Sequence, residues 1–157
     1  MLDYPPMTAG EWASVLKLST MWDFRETRKS AIKELSKDGM MDLTTKVALA
    51  RQYKISVWLL EGYEALIKRK EAISTGEAEQ LGLTTVVRLF HIREVSVARR
   101  YPRQYTKEPW SNHHFEDRGP FDRSDCVCME EIQKEFVEEL REVGDDLDST
   151  EVAIFNF

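Results

Sequence analysis

The chain has 157 residues, 42% of them apolar, and its 28 acidic and 22 basic side chains give a net charge of −6. That length suits one ordinary domain plus a tail. The acidic balance argues against nucleic acid as the main partner, because phosphate binding needs a net basic face. No apolar run approaches the roughly 18 residues of a membrane span. Residues 1–6 lack the basic and apolar regions of a signal peptide, and two cysteines are too few for a disulfide scaffold. Cytoplasmic or nuclear residence is the default expectation.

Pro5–Pro6 makes residues 1–7 an extended lead-in. Thr8 and Glu11 then stand three apart, the spacing at which a hydroxyl and a carboxylate cap each other's backbone donors. A first helix is expected over 9–21, with Trp12, Val15, Leu16, Ser19 and Trp22 on its inner face. Asp23 reads as the N-cap of a second helix, 24–36, with Phe24, Arg28, Ala31, Ile32 and Leu35 inward and Gly39 suited to its left-handed end.

Asp42 caps a third helix, 43–53, burying Leu43, Val47, Ala50 and Tyr53, and Ser56 reads as the cap of a fourth. Trp58, Leu59, Leu60, Tyr63, Leu66 and Ile67 make that fourth helix the most apolar, and so the central one. Ser74 and Glu77 repeat the capping arrangement for a short helix closed by Gly82. A sixth helix runs from Leu83 to about Tyr101, with Leu83, Val86, Val87, Phe90 and Val97 as its apolar set. Residues 102–124 lose all periodicity and read as a linker. Asp125 caps a last helix to Val143, with Met129, Ile132, Phe136, Leu140 and Val143 in an amphipathic stripe, followed by an acidic, then apolar tail, 144–157. The expected class is all-α: a bundle or stack of about six short helices over 1–101, then the linker, then the helix 125–143.

The order Glu11–Trp12, Val15–Trp22, Phe24, Arg28 and Ala31–Ile32 resembles the C-terminal helices of a BTB/POZ domain, most closely the expanded fungal version. The likeness continues through Val47–Arg51, Trp58–Tyr63 and Glu77–Leu83. A whole domain of that family begins with a strand-rich half, and Met1 falls where that half should already have ended. The resemblance therefore implies a truncated form or a fragment. It also implies adaptor or scaffold work, in some members delivery of substrates to a cullin-type ubiquitin ligase, with a cullin scaffold or another BTB protein as partner. Without the strands, Trp12, Leu16, Trp22 and Phe24 need another cover, and an apolar face left open would itself point to a partner.

His113, His114, Cys126 and Cys128 form the one cluster with metal-ligand chemistry, but their spacing matches no common zinc pattern and an ordinary loop explains them. A cysteine nucleophile with a histidine base lacks a third orienting residue. No catalytic, cofactor or metal residue is assigned, and an enzyme is the least favoured class. Six basic residues between Thr84 and Lys107 face Glu94 alone, whereas 130–151 is strongly acidic. The alternative function is therefore a small regulatory protein binding nucleic acid or acidic ligands through Arg88–Lys107. The preferred one is a non-enzymatic interaction module. Its candidate partner contacts are Trp12, Leu16, Trp22 and Phe24 on the first helical pair and Met129, Ile132, Phe136 and Leu140 on the last helix.

Overall fold

A computed structural model describes residues 6–37, 39–100 and 128–144. They carry eight α-helices and no strand, so the class is all-α as expected, with more helices than the six plus one read from the sequence. The linker 102–124, Asp125 as a cap, His113, His114, Cys126, the tail beyond Gly144 and the side chain of Val97 lie outside the described residues. α1 (Ala9–Met21) and α2 (Arg25–Leu35) form one hairpin, and α3 (Leu43–Tyr53) and α4 (Ser56–Lys68) a second. α5 (Thr75–Leu81), α6 (Leu83–Arg100), α7 (Met129–Glu135) and α8 (Val137–Gly144) complete the chain.

The side-chain caps are local chemistry and fall where the residue types demand. Thr8 with Glu11 and Ser74 with Glu77 each form a reciprocal capping box, and Asp42 accepts from the Thr45 backbone N–H. The hydroxyls of Thr44 and Thr45, which both donate to Asp42, hold its carboxyl at about 2. The Arg69 guanidinium, gripping both oxygens of Glu77 at 2.7 and 2.6 Å, and the Ser74 N–H hold that carboxyl at about 2 as well.

Two caps differ from expectation. Asp23 does not open α2; it takes a left-handed conformation, φ 54°, and closes α1. The N–H of Phe24 reaches Ser19 O at 2.8 Å and that of Asp23 reaches Thr20 O at 3.4 Å, the paired bonds of a Schellman ending. Phe24 is left as the N-cap of α2 without a side-chain bond. Likewise Ser56 does not cap α4. Lys54 is left-handed at φ 58°, and the Ile55 N–H returns to Ala50 O. Buried Ile55 therefore both ends α3 and begins α4, which leaves no room for a polar cap between them.

α4 is central, packing against α3, α6, α7 and α8. Trp58, Leu59, Tyr63, Leu66 and Ile67 are sealed from solvent. α3 approaches so closely at Gly62 that an added Cβ would stand 2.7 Å from Val47 Cγ2, which explains a glycine in mid-helix. The C-terminal stripe does not hang from the body as a separate helix. Cys128, Ile132, Phe136 and Val143 belong to the same core cluster as α3 and α4. The helix breaks at Phe136, whose ring lies against that of Tyr63 with centroids 4.3 Å apart.

A polar knot fixes this docking. Arg51 donates to Glu139 Oε1 (2.7 Å), the Leu81 carbonyl (2.9 Å), Tyr63 Oη (2.9 Å) and Thr85 Oγ1 (2.7 Å), while Tyr63 donates to Glu139 Oε2 (3.0 Å). One guanidinium thus ties α3, α4, the end of α5, α6 and α8 together, each of its three nitrogens donating to at least one acceptor. Burial and the neighbouring carboxylate push the Tyr63 phenol far above its usual range, so it remains a donor at any working pH.

Candidate interaction surface

The eight residues expected to meet a partner separate into three groups. Leu16, Ile132 and Phe136 are completely buried, so their assignment as partner contacts is corrected: the stripes they belong to are satisfied within the chain. Trp12, Met129 and Leu140 are half-buried and pack against the same core. Trp22 and Phe24 stand open, 59% and 54% exposed.

These two rings sit at the α1–α2 turn in edge-to-face contact, centroids 5.9 Å apart and planes at 65°. Leu18 and Met21, 44% and 64% exposed, lie on the last turn of α1 just before them. The tip is therefore built from four large apolar side chains, and the Schellman bonds at Asp23 hold their backbone in one conformation. Leu18 and Met21 escape the sequence reading because they lie off the Trp12–Leu16–Ser19 stripe. An apolar pair on the outward face of an otherwise amphipathic helix is the signal that marks them.

The surroundings of the tip are basic although the chain as a whole is acidic. Between residues 17 and 33, Lys17, Arg25, Arg28, Lys29 and Lys33 oppose Asp23 and Glu26. Arg25 meets Asp23 at 3.8 Å and Lys29 meets Glu26 at 3.4 Å, both open to solvent and correspondingly weak. Arg28 points back to the body, its Nη2 donating to Tyr53 O at 2.6 Å and its Nε to Thr20 Oγ1 at 3.3 Å. Trp58 Nε1 donating to Ser36 Oγ at 2.8 Å is a second strut between the hairpin and the body.

On α6 the expected apolar set is half reversed. Leu83, Val87 and Phe90 are exposed, while Val86, Leu89 and Ile92 are buried beside Thr85 and Arg93. The helix turns that way because Thr85 must reach Arg51, and Arg93 must reach the carbonyls of Arg69 (3.2 Å) and Glu71 (3.4 Å). This rotation also bears on the basic stretch. Arg93 is spent on backbone carbonyls, and Arg88 rests over the Phe136 ring at 5.6 Å.

Among the described residues no group of three or more His, Cys, Asp or Glu side chains is placed to hold a metal, and Cys128 is buried. No described helix is long and apolar enough to cross a membrane. No protein-family model, curated protein or solved structure matches the chain.

Proposed function

We propose that the chain is a non-enzymatic protein–protein interaction module and that its contact surface is the α1–α2 tip. The observation that carries this reading is the exposure of Leu18, Met21, Trp22 and Phe24 together at one conformationally fixed turn. Trp is the residue type most often found as a binding anchor, and an apolar cluster with a charged rim is what a partner covers. With Lys17, Arg25 and Lys29 around it, the tip suits a protein segment that carries aliphatic or aromatic side chains next to carboxylates. The BTB-like order of residues 8–98 adds a specific version, an adaptor or scaffold fragment that engages a cullin scaffold or another BTB protein.

Two experiments test these levels separately. Selection of a displayed peptide library on the full chain should enrich acidic, aromatic-containing peptides that lose binding when Trp22→Asp is introduced. Peptides that bind the Trp22→Asp chain equally well would refute the tip as the contact surface. A pull-down with a purified cullin scaffold addresses the adaptor version, and reproducible absence of binding would reduce the reading to a general interaction module.

The nucleic-acid alternative draws less support. Of the basic stretch, Arg93 is buried and half-buried Arg88 packs on an aromatic ring, while the side chains of Arg99, Arg100, Arg103 and Lys107 lie outside the described residues.

A further inference from the structure

The chemistry suited to the tip also occurs within this chain. Residues 145–157 follow the last residue of α8 and contain Asp145, Asp146, Asp148 and Glu151 with no basic side chain, then Val152, Ala153, Ile154, Phe155 and Phe157. Three hydrogen bonds fix where this segment leaves the fold. Lys54 Nζ donates to Glu142 O at 2.7 Å, holding the end of α8 against the end of α3. Arg28 bonds the carbonyl of Tyr53, the residue before Lys54, and also Thr20, two residues before Trp22. The end of α8 and the apolar tip therefore share one end of the molecule. Extended, the acidic residues 145–151 reach up to about 24 Å, and Lys54 and Arg28 lie between the two points.

We propose that residues 152–157 dock in cis on the tip formed by Leu18, Met21, Trp22 and Phe24, with the acidic spacer 145–151 running over this basic rim. The chain thereby carries a competitor for its own contact surface. This proposal rests on the reading of the tip as a contact surface, and it adds a regulation to it. A short tether supplies an effective concentration in the millimolar range, so even a weak contact is populated. A docking constant of about 10 raises the apparent Kd of an outside partner about tenfold. Such a block is strong enough to refuse weak partners and is released by a tight one.

The test uses the full chain, wild type against Ile154→Asp/Phe155→Asp, with the Trp22 indole N–H signal assigned by Trp22→Phe. The tail variant should shift the Trp22 indole signal and increase its quenching by iodide, while the indole of buried Trp58, bonded to Ser36, stays in place and reports an intact fold. Neutralising the spacer by Asp145→Asn/Asp146→Asn/Asp148→Asn should move Trp22 in the same direction by less. A Trp22 signal that coincides in wild type and tail variant overturns the proposal. So does one that is unmoved by the tail variant but moves on dilution, which would name a second copy of the chain as the occupant. Peptide selection decides the tip itself independently: peptides that need Trp22, together with an inert tail, would sink the cis contact and leave the contact surface standing.

Discussion

The core of the α3–α8 body and the α1–α2 tip treat apolar side chains in opposite ways. In the body, Trp58, Tyr63, Ile132 and Phe136 are sealed, with the Tyr63 hydroxyl joined to Arg51 and the Trp58 N–H to Ser36. At the tip, Met21, Trp22 and Phe24 lie mostly in water on a turn no less defined. Leu83, Val87 and Phe90 on α6 and Val137 on α8 are exposed as well, each on a helix face, whereas the tip gathers its large side chains at a turn closed by Schellman bonds, with two rings in contact. Large side chains left outside on a rigid turn are thus better explained by something they bind than by a deficient core.

The largest expected effect breaks the body. Phe136→Ala removes a fully buried ring stacked on Tyr63 and should cost about 3–5 kcal/mol in urea unfolding, because the gap opens between α4 and two other helices. Gly62→Ala comes next. The added methyl collides with Val47 at the α3–α4 crossing, so despite better helix propensity the variant should lose about 1–3 kcal/mol. Val47→Ala in the same chain should recover part of that loss, which identifies overpacking as its cause.

Acid titration probes the caps that hold the body's helices. The carboxyls of Asp42 and Glu77 are held at about 2 when folded, whereas unfolded Asp and Glu titrate near 4. The unfolded chain therefore binds more protons in this range, and the stability these groups add is complete above about pH 5 and lost as pH falls towards 2. Asp42→Ala should cost about 1 kcal/mol at neutral pH and flatten the fall of the urea midpoint between pH 5 and 2. The smallest effect has the opposite sign. Asp23→Gly relieves a left-handed backbone position at the tip, φ 54°, and should raise stability by about 0.5–1 kcal/mol in the same assay.

What could be read from the sequence follows the range of the forces involved. The capping boxes at Thr8 and Ser74 and the Asp42 cap are set within four residues and were legible. So were the apolar character of α4 and the stripe from Met129 to Val143. Asp23 is ambiguous in sequence because the same residue type serves either as a forward cap or in a left-handed ending, and backbone bonds back to Ser19 and Thr20 make that choice. The buried face of α6 is not decided by periodicity, because the helix has two apolar sides. The buried one is selected by Thr85 and Arg93, polar residues whose partners lie on α3 and after α4. The Arg51–Glu139 pair joins residues 88 apart in sequence, and no local pattern announces it. Of the expected contact residues, Trp22 and Phe24 are open, while Leu16, Ile132 and Phe136 are buried. Spacing reveals that a stripe needs cover and does not say whether the chain itself provides it.

Urea unfolding of Trp22→Asp alongside Phe136→Ala tests the contrast between tip and body most directly. The tip variant should lose no more than about 1.5 kcal/mol, the energy that accompanies a tenfold docking constant for the tail, against about 3–5 kcal/mol for the core variant. A Trp22→Asp chain as destabilised as Phe136→Ala would show that the tip belongs to the folding core and contradict its role as a contact surface.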